Sequence, residues 1–291
     1  MKRFPLGTSA VSFLAPAKLN LSLQVFGKRP DGFHQIRSVM VPVSLYDEVT
    51  VEEAVAGISV TCDTPGIPTD AANSCHKAAA LFLAWAGTPA GVRIRIRKAI
   101  PAESGLGGGS SDAAAALKGL IALSGKHPPP EALLAMALRV GADVPFFLPG
   151  GAALAEGIGE RLTPLPWNVP IQAVIVRPAF GLSTREGYAR LAREPGEPPP
   201  RGRVPSFRTF SDVTAVVRND FEAAWAPSHP EIAAIRQELE SAGAAAAGLS
   251  GSGSAVFGLF RSEGEAREAR KRLTAGDAGG RERRVFVARS I

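Results

Sequence analysis

Cysteine is almost absent: Cys62 and Cys75 are the only two in 291 residues. Two thiols exclude a disulfide framework, and no Cys/His group has the spacing of a metal site. Long apolar runs are missing as well. None reaches the roughly 20 residues that a bilayer-spanning helix needs, so no membrane partner is expected. The start, Met1-Lys-Arg-Phe-Pro-Leu-Gly, is mildly basic but leads into no signal-like apolar core. A reducing, cytoplasmic setting fits these absences. No internal repeat is visible.

What is present is ordinary in bulk: 45% hydrophobic and 21% charged residues, the composition of a soluble globular protein. The length allows one large core or two moderate ones, and two packed lobes are the expected solution. The net charge of +6 invites a nucleic-acid reading. The basic residues are dispersed, however, and those of the 93–98 strand alternate with isoleucine rather than with aromatics. Most of this charge is read as solvated surface that attracts anionic substrates, with no nucleic-acid partner.

Lysine is lacking from the stretch that organises the chain, Pro101-Ala-Glu-Ser-Gly105-Leu106-Gly107-Gly108-Gly109-Ser110-Ser111-Asp112. A P-loop needs Lys before Ser/Thr, and none occurs between Glu103 and Leu117. The dinucleotide pattern G-x-G-x-x-G, begun at Gly105, meets Ser110 at its last position. Yet four glycines in five positions separate the alternating strand Val92–Arg97 from an alanine-rich helix expected over Asp112 to Leu123. Glycine permits positive φ and close approach, and a bare helix N-terminus attracts anions. A phosphate cradle is a better reading than a flexible, capped turn.

Elsewhere, residues 10–26 read as a strand pair or one bent strand on which Lys18, Asn20 and Ser22 share a face. That face is either wet or functional. A turn at 27–32 hands off to Phe33-His34, a flat apolar face beside a switchable donor or acceptor. Ser38 to Val51 reads as strand. A helix over 73–86 has Asn73 at its N-cap, and another, 132–140, stops at Gly141. Asp143 follows, either a simple cap or, flanked by Val144, Phe146 and Phe147, a partly desolvated base. A hairpin over 152–165 turns at Gly157-Ile-Gly159. A buried strand over 170–176 leads to a helix capped by Ser183 or Thr184 that carries Tyr188. Glu194 to Val204 reads as surface loop, and helices are expected near 213–226 and 230–243. A second glycine cluster, Gly248 to Ser254, precedes a strand 255–260, a charged helix 262–275 and a last strand 284–289. Alternating strands and helices in this final third imply an α+β sandwich with helices on one face.

Three stretches, Ala15-Pro-Ala-Lys18-Leu-Asn20, Pro101 to Asp112, and Gly248 to Ser254, resemble in order and spacing the three motifs of the GHMP small-molecule kinases. Asp31-Gly-Phe33-His34, Gly141-Ala-Asp143-Val-Pro145 and Asn219-Asp-Phe221-Glu222 narrow the likeness to the branch acting on a diphosphocytidyl polyol in non-mevalonate isoprenoid synthesis. The resemblance implies a two-lobed α+β fold, with an S5-like ATP-binding lobe over 1–162 and a ferredoxin-like sandwich over 163–291. It implies ATP and Mg²⁺ as cofactors, and a monomer or weak homodimer. Asp143 would be the general base and Lys18 its charge partner. Pro101, Gly105, Leu106, Gly107, Gly108, Gly109, Ser110 and Ser111 would hold ATP phosphates, with Asn73 and Lys98 near the adenine. Asn20 would orient the polyol, and a cytosine would sit between Phe33 and Tyr188 with His34 reading its edge. The family usually has Tyr at Phe33 and commonly Ala at Ser104, Gly187 is unusual within a helix, and no residue is matched to a metal-binding glutamate. Another GHMP activity, on mevalonate, homoserine or a sugar, is disfavoured by Phe33-His34 and by the triple glycine. A catalytically dead sensor is disfavoured by the presence of both Lys18 and Asp143.

Overall fold

The computed structural model describes residues 10–88, 91–194, 196, 202–275 and 283–291. Two compact units interleave along the chain. One takes the chain up to Ala17, Tyr46–Ala102 and Gly107–Gly150, and the other takes Lys18–Leu45, Glu103–Leu106 and Gly151–Ile291. Strands β1 (Ala10–Lys28) and β2 (His34–Ala54) contribute to both. β1 is a single long strand. Its Leu19, Leu21 and Leu23 are buried, and so are Lys18 and Asn20 on the opposite face, at 3% and 4% exposure. The wet-face reading of that strand is therefore excluded.

In the first unit, β3 (Ile58–Cys62) runs parallel to β4 (Gly91–Arg97), which pairs antiparallel with β2 over Glu48–Ala54. The alternation in β4 sends Val92, Ile94 and Ile96 inward. Its arginines face Glu48 and Glu52, exposed pairs that add little stability. Helix α1 (Ser74–Ala86) is capped as expected, the Asn73 side chain accepting from Cys75 N at 2.8 Å. Helix α2 spans Gly108–Ser124, four residues earlier than propensity indicated. The left-handed Gly107, at φ 74°, turns the chain there, and the buried run Ala113–Leu117 holds the helix in place. Helix α3 (Pro130–Val140) ends at Gly141. A single 3₁₀ turn, Val144–Phe147, follows with its apolar side chains buried. Lys118 of α2 donates to the Phe147 carbonyl at 2.8 Å and anchors that turn.

In the second unit, β5 (Ala153–Gly157) pairs with β2 over Ile36–Met40 and with β6 (Arg161–Pro164). A four-stranded antiparallel sheet has the order β11-β7-β10-β9, with β7 at Gln172–Arg177, β9 at Ala246–Leu249, β10 at Val256–Phe260 and β11 at Arg284–Arg289. Helices α7 (Glu231–Ser241) and α8 (Glu263–Ala275) cover the face carrying Val174, Val176 and Phe260. Each such fully buried aliphatic or aromatic side chain contributes about 1.5–3 kcal/mol. This is the α+β class expected.

The helix expected over 213–226 is instead two short ones, α5 (Phe210–Thr214) and α6 (Phe221–Trp225), separated by β8 (Arg218–Asn219). Parallel pairing of β8 with Ser22 and Leu23 of β1 breaks the helix. The strand β9 also went unanticipated. The 194–204 loop expectation falls partly outside the described residues, since 195 and 197–201 are not among them. Helix α4 (Thr184–Leu191) begins at Ser183, whose side chain caps it. Its Gly187 has a packing reason: a Cβ there would stand 3.0 Å from the Phe221 ring and 3.1 Å from Trp225.

Candidate active site

The head of α2 is bare. No side chain caps Gly107, so the N–H groups of the first turn point out of the helix with their share of its dipole. Ser110 and Ser111 lie inside the helix, and Ser111 Oγ is buried without a hydrogen-bond partner among the described residues. Three other segments of the same unit border this turn. A Cβ on Gly109 would stand 3.9 Å from Ser74 Oγ, next to Asn73, and one on Gly108 would stand 3.2 Å from Lys98 Nζ. A Cβ on Gly141 would stand 3.9 Å from Ser110 Oγ, which brings the Gly141-Ala-Asp143 segment to the serines. Asp143 occupies the N-cap position of the 3₁₀ turn, yet its carboxylate makes no cap hydrogen bond.

Lys98 and Asn73, both expected near an adenine, have their side chains committed to the protein. The Asn73 amide donates to the Pro68 carbonyl at 2.6 Å while its oxygen caps α1. Lys98 Nζ bridges two buried carboxylates, Asp47 Oδ2 and Asp112 Oδ2, the latter at 2.8 Å. Burial alone would lower the lysine's pKa, but the Asp112 and Asp47 charges outweigh it and raise it. Burial first, then the Asp47 charge, pushes the Asp112 carboxyl up to about 7 against the opposing pull of Lys98.

The second unit contains Lys18, Asn20, Phe33, His34, Tyr188, Gly105 and Leu106. Lys18 Nζ donates to Asn20 Oδ1. The Asn20 amide donates to Ser38 Oγ at 2.6 Å, and the Ser38 hydroxyl donates to the Ser22 carbonyl at 2.6 Å. Asn20 therefore orients a lysine that is 3% exposed, using both polar atoms of its side chain to do so. The Lys18 backbone N–H donates to the Leu106 carbonyl at 2.9 Å, joining β1 to the loop. Gly105, at φ 75°, admits no side chain, because a Cβ would overlap the Ser250 carbonyl oxygen.

Sequence reasoning left out the residues that hold the second glycine cluster. Ser250 Oγ donates to the Gly105 carbonyl at 3.1 Å and accepts from Asn20 N at 3.3 Å. The Asn219 amide donates to the carbonyls of Leu249 and Gly251, both at 2.8 Å. Glu222 accepts from Leu249 N at 3.0 Å, and Asp220 from Val25 N at 2.9 Å. The signal was the Asn219-Asp-Phe221-Glu222 string: Asn219 and Glu222 hold the glycine cluster, Asp220 holds β1, and Phe221 packs in the core.

Phe33 is 58% exposed. His34 and Tyr188 stack on each other, with ring centroids 4.9 Å apart and planes 14° from parallel. Tyr188 also meets the Phe221 edge at 5.0 Å. The imidazole thus lies against one face of Tyr188. Burial, aided by the Lys28 charge, lowers the His34 pKa and keeps the ring neutral at physiological pH. Among the described residues no three His, Cys, Asp or Glu side chains converge to hold a metal ion. No residue is assigned as a Mg²⁺ ligand. No helix of the described residues is long and apolar enough to cross a membrane.

Residues 73–151 match the model of the GHMP kinases N terminal domain, and 210–278 match that of the GHMP kinases C terminal. A 4-diphosphocytidyl-2-C-methyl-D-erythritol kinase from Geobacter metallireducens is 44% identical over 269 residues, which cover 91% of this chain and 94% of the relative. One from Acetivibrio thermocellus is 38% identical over 261 residues, 88% of this chain and 92% of the relative. A crystal structure of 4-(cytidine 5'-diphospho)-2C-methyl-D-erythritol kinase superposes with a TM-score of 0.77 at 35% identity, covering 96% of this chain and 99% of that one. A homoserine kinase from Cytophaga hutchinsonii reaches 0.75 at 20% identity, covering 99% of this chain and 97% of that one, a likeness of fold alone.

Proposed function

Because this chain belongs to the 4-diphosphocytidyl-2-C-methyl-D-erythritol kinase family of the GHMP kinases, we propose that it transfers the γ-phosphoryl of ATP to the 2-hydroxyl of that diphosphocytidyl polyol. The products are the 2-phosphate and ADP, within the non-mevalonate route to isoprenoids. One observation supports the reading above the rest: an uncapped helix head, Gly107–Ser111, with the Asp143 segment beside Ser110.

In this reading the free N–H groups of α2 hold the triphosphate, with Gly105 and Leu106 of the loop completing its cradle. Mg²⁺ would enter as the counter-ion of the triphosphate. Asp143 accepts the proton of the attacking hydroxyl, and Lys18, held by Asn20, steadies the charge that grows on that oxygen. Phosphoryl transfer asks little covalent chemistry of a protein, so positioning and amide dipoles supply most of the acceleration. Asn73 and Lys98 serve the nucleotide indirectly, by shaping the backbone around it. The cytosine displaces His34 from the Tyr188 face. The neutral imidazole then turns one N–H and one lone pair to the base edge, and Phe33 covers the outer side.

Turnover measured on the diphosphocytidyl substrate, mevalonate and homoserine is expected for the first alone. Activity on either of the others at a comparable kcat/KM would reassign the chain within the GHMP kinases. Phe33→Ala is expected to raise KM for the cytidyl substrate on the order of tenfold, the worth of one stacking contact, with KM for ATP unchanged. An equal rise in both constants removes Phe33 from the base site.

A further inference from the structure

The buried ion network below the glycine turn touches no reacting group in the chemistry just described, yet it contacts both ends of that turn. Asp47 Oδ1 accepts from Ala99 N at 2.6 Å and Ile100 N at 2.8 Å, fixing the backbone as it enters Pro101. The other Asp47 oxygen holds Lys98 Nζ, which also holds Asp112 Oδ2 on the second turn of α2. The same ammonium lies against Gly108, the first residue of the helix. One cation thus ties the entry of the turn to its exit. Replacing such a buried ionic group by apolar residues is often neutral or stabilising, so stability alone does not account for it.

We propose that Asp47, Lys98 and Asp112 are positioning residues for the phosphate-binding turn, and that Asp112 takes up a proton as nucleotide phosphates arrive. This inference rests on the placement of ATP phosphates at the head of α2. When all three groups are ionised, two carboxylates face one ammonium, which leaves an unbalanced negative charge a few ångströms along the helix. Asp112 Oδ1 is buried with no partner among the described residues. The groups around Asp112 are Lys98 and Asp47, Cys75 on α1 and Cys62 at the end of β3. Burial raises both thiols, so neither carries charge near neutrality. The Asp112 carboxyl, pushed up to about 7 chiefly by burial, can take up a proton near neutral pH. Phosphate charge at the helix head favours its protonated form, and by linkage a protonated Asp112 favours the phosphate.

The test is calorimetric titration of the full-length protein with a non-hydrolysable ATP analogue at about pH 7.5, in two buffers of different ionisation enthalpy. The wild type is expected to take up a measurable fraction of a proton per nucleotide. Asp112→Asn is expected to take up distinctly less. Asp47→Asn, which withdraws the charge that helps hold Asp112 protonated, should also reduce the uptake. In steady state the wild-type KM for ATP should rise several-fold between about pH 6 and about pH 8.5, within the limit of about tenfold per pH unit for one linked proton. The Asp112→Asn profile should be flatter, and because the nucleotide's own titration is common to both proteins, the difference isolates the residue. Equal uptake and parallel profiles overturn the proposal. If neither variant folds, absence of uptake by the wild type overturns it and presence sustains it. Absence of any nucleotide binding overturns the placement of ATP as well, which separates the two failures.

Discussion

Asp143→Asn is expected to give a folded protein that binds ATP normally and turns over about 10³-fold more slowly, within the range that removal of a general base produces. The expectation of normal folding comes from the local geometry. Asp143 leads the 3₁₀ turn Val144–Phe147 without capping it, and the turn has other supports. It rests on the buried side chains of Val144, Phe146 and Phe147 and on Lys118 at the Phe147 carbonyl. Asparagine keeps the shape and one acceptor oxygen but cannot accept a proton at neutral pH. The loss should therefore fall on kcat, with the thermal midpoint and nucleotide affinity close to wild type. Lys18→Met should also lower kcat, and combining the two should cost far less than the product of the separate effects, since both act on one developing charge. Turnover of Asp143→Asn within tenfold of wild type would remove the base role, however well the rest of the site behaves.

What could be read beforehand was local. The alternation in β4, the Asn73 cap, the stop at Gly141 and the Ser183 start each depend on neighbours within a few residues, and each appears where expected. Errors came where distant groups decide. Propensity put the start of α2 at Asp112, whereas the left-handed Gly107 and the burial of its alanine face carry helix through glycines and serines. A helix through 213–226 agreed with composition, but pairing of Arg218 and Asn219 with β1 interrupts it. The strings around His34 and Tyr188, read as the edge reader and one stacking ring of a cytosine site, do not reveal that the two rings stack on each other. The family resemblance places Lys98 near adenine; its partner Asp47 lies far back in the chain, in the acidic pair Asp47-Glu48, and only the β2–β4 pairing brings the two together.

That pairing leads to the largest stability effect expected in the chain. Lys98→Met should destabilise the protein by about 3–5 kcal/mol near neutral pH, because it leaves Asp47 and Asp112 buried with no cation between them. The sign of the pH dependence follows from the shifts. The raised lysine contributes stability that is complete below its ordinary range and is lost only as pH climbs through the raised value. Asp112 has the same sign at lower pH: it also binds its proton more tightly folded than unfolded, so its contribution declines from the ordinary carboxylate range up to about 7. Without Lys98 the carboxylates must share protons to remain buried. The deficit of the variant should then widen from about pH 5.5 to about pH 8, as measured by the urea midpoint at each pH. Asp112→Asn added to Lys98→Met removes one of the two stranded charges and should recover a large part of the loss. A single variant within about 1 kcal/mol of wild type at pH 8, or a double variant no better than the single, would mean that water reaches and solvates these carboxylates, and the network would then be a surface feature rather than a buried tie.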